Sequence, residues 1–118
     1  VLLQRYYQQA ARGDIRVLVL GGEARWGVRR ISAPGEFRSN IHRGGIGERI
    51  DLAGEFAPYA RLAEQAAAVF GLGLAGVDLI EGDIPRVLEI NSSPGFEAPE
   101  ELYGADIAGA IIDYTLSL

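Results

Sequence analysis

The stretch Ala75-Gly-Val-Asp-Leu-Ile-Glu-Gly-Asp-Ile-Pro-Arg-Val-Leu-Glu-Ile-Asn-Ser-Ser-Pro-Gly95 decides how the chain is read. Two β-rich runs, Gly76–Glu81 and Arg86–Asn91, flank a turn signalled by Gly82 and Pro85. With Gly82–Pro85 as the loop, Glu81 falls opposite Arg86, Leu79 opposite Leu88, Asp78 opposite Glu89 and Val77 opposite Ile90. Side chains alternate between faces along a strand. Val77, Leu79, Leu88 and Ile90 are therefore expected on a core face, and Asp78, Glu89 and Asn91 on the other.

That second face poses an electrostatic problem. Directly opposed Cβ atoms lie about 5 Å apart, and two like charges at that distance repel by roughly 3 kcal/mol at an effective dielectric of about 20. Either one carboxyl is protonated or a cation lies between them. Two carboxylates and an amide oxygen form a hard, all-oxygen set that suits magnesium or manganese rather than zinc. Magnesium usually completes its shell with waters and substrate phosphates, so the hairpin points to a phosphorylated ligand. The plain alternative is an exposed hairpin with a polar face and a loose register.

Composition narrows the field. Nearly half of the 118 residues are apolar, enough for a core in one small domain or part of a larger one. The absence of cysteine excludes disulfides and thiolate metal sites. No run is long and apolar enough to span a membrane, and no secretory signal is visible, so a cytoplasmic location is the default expectation. The net charge of −5 argues against nonspecific nucleic-acid binding. The chain contains no methionine, opens on the strand-like run Val1-Leu2-Leu3, and draws all 11 basic residues from arginine. It reads as a piece of a longer protein, and any phosphate chemistry that needs lysine is expected outside it.

The remaining elements follow from period and punctuation. Val1–Tyr7 reads as a strand leading into a connector. Asp14–Leu20 and Ala24–Ile31 form a hairpin around Gly21-Gly22-Glu23, with Ile15, Val17 and Val19 on one face. Glu36–Gly47 has no clean period and reads as a loop. Pro58 to about Phe70 carries a helical stripe of Tyr59, Leu62, Ala63, Ala66, Val69 and Phe70, with Pro58 in the first turn and Gly71 past its end. Asn91–Gly95 is a turn-rich exit. Asp106 caps a last helix to about Leu116, with Ile107, Ala110, Ile111 and Tyr114 buried. The expected class is α+β, an antiparallel sheet with helices packed on one side.

Three blocks give the chain a family resemblance: Gly13-Asp-Ile-Arg16; Phe37-Arg-Ser-Asn-Ile-His-Arg-Gly-Gly45; and Ala75-Gly-Val-Asp78 with Val87-Leu-Glu-Ile-Asn-Ser-Ser-Pro-Gly95. In this order and spacing, with Gly104-Ala-Asp-Ile-Ala-Gly109 as the tail, they resemble the C-terminal part of a RimK-type ATP-grasp ligase from end to end. The resemblance implies an ATP-dependent carboxylate–amine ligase. ATP phosphorylates a carboxylate, and an amine, typically that of glutamate, attacks the acyl phosphate to form an amide on a protein C-terminus or a small cofactor. It implies that Asp78, Glu89 and Asn91 hold two magnesium or manganese ions. It places Arg5, Tyr6 and Tyr7 at the hinge that meets adenine, with Arg5 standing where the family often has Glu. Asp14 falls near the ribose, and Arg38, Ser39 and Asn40 near the phosphates and acyl phosphate, Arg38 and Asn40 serving catalysis. Arg38 has the fork geometry that suits a transferring phosphoryl group.

Other residues stay outside that assignment. Arg30 and Arg43 stand between a substrate-carboxylate contact and a surface role. His42, Ser92 and Ser93 receive no catalytic part. The implied partners are ATP, an amino acid and a carboxylate acceptor, with no nucleic acid, no membrane, and a homo-oligomer possible for the full-length protein. The family's phosphate-binding lysines lie in an N-terminal subdomain, so residues 1–118 are expected to form a C-terminal subdomain that is inactive alone. Two competing readings are a non-catalytic nucleotide-binding regulatory module and an unrelated α+β interaction domain.

Overall fold

The computed structural model describes residues 14–31 and 46–118, without the side chains of Ile31 and Ile46. Five strands form one antiparallel sheet: β1 (Asp14–Leu20), β2 (Glu23–Ile31), β3 (Ile46–Arg49), β4 (Leu74–Ile80) and β5 (Arg86–Asn91), in spatial order β3-β2-β1-β4-β5. Three helices accompany them: α1 (Ala57–Val69), α2 (Glu97–Tyr103) and α3 (Ile107–Leu116).

The first hairpin turns through Gly21 and Gly22, at φ 62° and 85°. Both central positions of such a two-residue loop require positive φ, which glycine adopts without the steric cost of a Cβ. Strand β1 sits in the middle of the sheet, and its two faces carry different cores. Ile15, Val17 and Val19 pack with Val77, Leu79 and the α1 residues Tyr59, Ala63 and Ala67. Leu18 and Leu20 pack with Trp26 and Ile107, supported by Ala110, Ile111 and Tyr114 of α3. The α+β class and the antiparallel sheet stand, but the helices do not share one side. Helix α1 covers one face, and α3 covers the Leu18–Leu20 end of the other.

Helix α1 follows its expected span, with Pro58 in its first turn and Gly71 in the left-handed region at φ 64° just past its end. Its buried stripe is rotated from the expected one. Tyr59, Ala60, Ala63 and Ala67 are buried, whereas Val69 and Phe70 are 79% and 66% exposed. Three alanines on the inner stripe present little bulk to the sheet, so the largest apolar residues of the last turn face outward. In α3, Asp106 caps the helix as expected, its carboxylate accepting from the Gly109 N–H at 2.9 Å.

Two elements were not legible in the sequence. Residues 46–49, the first two read as the end of a loop and the rest given no element, pair with β2 as β3. The stretch that follows the Asn91–Gly95 exit, given no element from the sequence, forms α2, closed by Gly104 at φ 62°. Tyr103 at its end fastens it to the sheet, its hydroxyl receiving a hydrogen bond from Gly27 N–H and lying 2.9 Å from the carbonyl oxygens of Gly27 and Ile50. Among the described residues no helix is long and apolar enough to cross a membrane.

Candidate nucleotide and metal site

Strands β4 and β5 pair with Asp78 opposite Glu89, Val77 opposite Ile90 and Gly76 opposite Asn91, as the sequence implies. Beyond Asp78 the register shifts, Leu79 meeting Val87 and Ile80 meeting Arg86. Leu88 is the extra residue of a β-bulge. This corrects two expectations. Leu88 does not enter the core and is 41% exposed. Glu81 does not pair with Arg86; it accepts from Arg29 Nε at 2.7 Å. The bulge begins just after the carboxylate pair, so the facing of Asp78 and Glu89 is preserved while the rest of the hairpin slips.

The pair lies on the same sheet face as Leu18 and Trp26, at the end α3 does not cover. Across β1, Arg16 is the direct neighbour of Asp78. Its guanidinium grips the carboxylate at both oxygens, Nε–Oδ1 at 2.7 Å and Nη2–Oδ2 at 3.0 Å. One step along, Asp14 faces Arg30 across β1 and β2 and receives a second fork, Nη2–Oδ2 at 2.7 Å and Nε–Oδ1 at 3.1 Å. Arg30 Nη2 also comes within 3.4 Å of Asp78 Oδ1, linking the two pairs. Asp14 and Asp78 are both buried. The Arg16 pKa is raised above the usual guanidinium value, first by the Asp78 hydrogen bond, against the opposing effect of burial, and further by the charges of Asp78, Asp14 and Glu89.

Among the described residues, the cation that directly pairs with Asp78 is therefore an arginine, on the flank away from Glu89. The sequence reading assigned Arg16 no role because the β1–β4 pairing joins residues 62 apart in the chain. The signal was present all the same, since Asp14 and Arg16 share a face of an otherwise apolar central strand. Among the described residues, Asp14, Asp78 and Glu89 lie near Arg16 and Arg30, three carboxylates to two guanidiniums. Glu89 is exposed and in no ion pair among the described residues. This leaves one carboxylate on the rim of the patch whose charge is not matched by a direct partner.

Asn91 completes the expected set. Its Oδ1 accepts from Ser93 N–H at 2.9 Å, an Asx turn that fixes the side chain. The turn folds Pro94 onto Gly76, where an added Cβ would come within 2.6 Å of Pro94 Cβ. Gly76 is thus required for the close approach that seats Asn91 beside the carboxylates. Among the described residues no group of three or more His, Cys, Asp or Glu forms a metal cluster. The candidate set has two carboxylates and an amide oxygen, and its chemistry fits a hard divalent cation. A cation there shares Asp78 with Arg16 or displaces it. Of the other expected site residues, Asp14 lies in the network; Arg5, Tyr6, Tyr7, Arg38, Ser39 and Asn40 lie outside the described residues, as do His42 and Arg43.

Comparison with known proteins places this geometry in a family. The sequence model for the RimK-like ATP-grasp domain matches residues 1–115. The chain is 48% identical over 114 residues to a probable alpha-L-glutamate ligase 2 of Hahella chejuensis, covering 96% of this chain and 36% of that protein. It is 46% identical over 115 residues to a probable alpha-L-glutamate ligase of Rhodopirellula baltica, covering 97% and 28% respectively. The chain thus spans about a third of the length of these curated relatives. Among solved structures, the ATP-grasp ligase PsnB complexed with a minimal precursor superposes with a TM-score of 0.67 at 26% identity, over 89% of this chain and 33% of PsnB. The D-alanine–D-alanine ligase of Bacillus anthracis complexed with ATP shares the fold, with a TM-score of 0.61 at 22% identity over 89% of this chain and 37% of that one. With the sheet, the paired carboxylates and the Asn91 turn in place, and a family match over nearly its whole length, the chain belongs to the RimK-like ATP-grasp domain family.

Proposed function

We propose that this chain supplies the metal-bearing side of the nucleotide site in an ATP-dependent carboxylate–amine ligase, one that adds an amino acid, glutamate in the first instance, to a carboxylate acceptor. The observation that carries the reading is the opposition of Asp78 and Glu89, with Asn91 beside them, on an otherwise arginine-neutralised patch. In this reaction a carboxylate oxygen of the acceptor attacks the γ-phosphorus of ATP and ADP leaves. The amine then attacks the acyl carbon, inorganic phosphate departs, and the nitrogen loses a proton as the amide forms.

Asp78, Glu89 and Asn91 would hold magnesium or manganese, two ions by family resemblance. Such ions, when bound, neutralise charge on the phosphates during transfer. The chain's own residues prepare that site. Arg16 fixes the rotamer of Asp78 through a two-point grip. Arg30 does the same for Asp14, which we assign to the ribose. Arg38, Ser39 and Asn40 are proposed to meet the phosphates and the acyl phosphate, with Arg38 and Asn40 catalytic, and Arg5, Tyr6 and Tyr7 to meet adenine. The lysines that contact phosphate in this family have no counterpart in a chain without lysine, so the remainder of a longer protein is proposed to supply them.

The test is ADP release by the full-length protein in the presence of glutamate, supplied as both amine and carboxylate acceptor, with and without a divalent cation. The reading predicts release that requires both the cation and the amino acid. Undiminished release in the presence of excess chelator would contradict it.

A further inference from the structure

A second charged feature lies away from this site, at the other end of β2. A cleft of about 650 Å³ opens between β2, the segment after β3, and the first half of α1. Arg25, Arg49 and Arg61 line it, over a floor that includes Ile50, Leu52 and Ala60. All three arginines are exposed, and none is in an ion pair among the described residues. The two acids in the cleft turn to backbone instead: Glu64 accepts from Ala24 N–H at 2.8 Å and Asp51 from Ala53 N–H at 3.0 Å.

Two of the arginines are held in place rather than loose. Arg25 is the extra residue of a bulge in β2, where the pairing steps from Leu18–Trp26 to Val19–Ala24, and bulges re-aim side chains. Its guanidinium lies 4.6 Å from the Trp26 ring centroid. Arg49 lies 4.4 Å from the ring centroid of Tyr103, and that ring is fixed by its hydroxyl contacts with Gly27 and Ile50. Guanidiniums stacked on aromatic faces lose less freedom on binding and keep their N–H edges for a ligand.

We propose that this cleft is an accessory docking site for an acidic peptide segment, whose carboxylates pair with Arg25, Arg49 and Arg61 while its methylene groups lie on Ile50 and Leu52. Planar carboxylates match the arginine fork. The proposal uses residues distinct from the ligase site and stands or falls independently of it.

The experiment is fluorescence anisotropy of a labelled oligoglutamate peptide on the full-length protein, with nucleotide omitted. Arg25→Ala and Arg61→Ala are expected each to weaken binding about tenfold, the loss of one charge-assisted contact, while Glu89→Gln leaves it unchanged. Both arginines are exposed, so the variants are expected to keep the fold, and a matching circular dichroism melt confirms it. Wild-type peptide affinity in the Arg25→Ala/Arg61→Ala double variant overturns the proposal, as does an absence of peptide binding. Binding lost in Glu89→Gln but kept in the arginine variants places the peptide at the ligase site and also overturns it. Stronger displacement of the peptide by inorganic phosphate or by a short RNA than by free oligoglutamate overturns the assignment to an acidic peptide.

Discussion

Asp78 has two tasks that pull in different directions. It is the buried member of the carboxylate pair, and it is also the anchor of Arg16. A fully buried ion pair costs about 3–5 kcal/mol to break from one side, and an exposed pair about 0–1 kcal/mol. Arg16 keeps partial exposure, so Asp78→Ala is expected to lower stability by about 2 kcal/mol, between those limits. Glu89→Gln removes an exposed carboxylate that is in no ion pair among the described residues, and is expected to change stability by less than about 0.5 kcal/mol. Urea melts of the two variants check this, and equal losses would show that the Arg16 grip contributes nothing. Activity lost in an Asp78 variant therefore mixes chemistry with folding, whereas Glu89 isolates the chemistry. The carboxylate pair was legible because it is local: a short hairpin sets its register. Its arginine partners were not, because Arg16 and Arg30 meet Asp78 through pairings that the hairpin pattern does not contain.

At the scale of elements, the bulge at Leu88 separates two roles within one hairpin. Residues up to Asp78 hold the site in register with β5, and Leu79 beyond it fills the core. Leu79→Ala is expected to cost about 2–5 kcal/mol, as for buried leucines, against less than about 1 kcal/mol for Leu88→Ala. Thermal or urea denaturation distinguishes these, and a larger loss at Leu88 would restore the unbulged register. Tyr103→Phe tests the joint between α2 and the sheet. It leaves Gly27 N–H without the hydroxyl acceptor it uses and is expected to cost about 1–3 kcal/mol. The longer elements were readable from period: α1 from its apolar spacing, β1 from alternation, α3 from Asp106 and Ile107. Strand β3 was not, because four residues containing a glycine carry almost no periodic signal; its place comes from pairing with β2. Helix α2 was hidden behind turn-forming residues, and its anchor, the Tyr103 hydroxyl, reaches residues 76 and 53 positions away.

At the scale of the molecule, the sheet works as a frame with two unlike faces. One carries the apolar core under α1, with the Arg29–Glu48 and Arg29–Glu81 ion pairs at its edge. The other is apolar under α3 and charged where α3 stops. That division puts the candidate carboxylates on β4 and β5, flanked by the central strand β1 and beyond the end that α3 covers. Since the chain spans about a third of its curated relatives, and has no lysine to meet phosphates, the isolated 118-residue segment is expected to release no ADP above background with ATP, magnesium and glutamate. Turnover by the segment alone would overturn the proposed division of the site. The fold class and the facing of Asp78 and Glu89 were readable from this piece by itself; the acceptor was not, because no stretch of the sequence carries a signal for one carboxylate over another.

The most direct measurement is glutamate-dependent ADP release by the full-length Glu89→Gln protein beside the wild type, at saturating magnesium and ATP, with unfolding curves recorded on the same samples. The account predicts superimposable unfolding curves and a loss of turnover of at least about a hundredfold, the scale on which removing one electrostatic stabiliser of a transition state acts. Wild-type turnover in Glu89→Gln would contradict the assignment of the Asp78–Glu89 face to the chemistry.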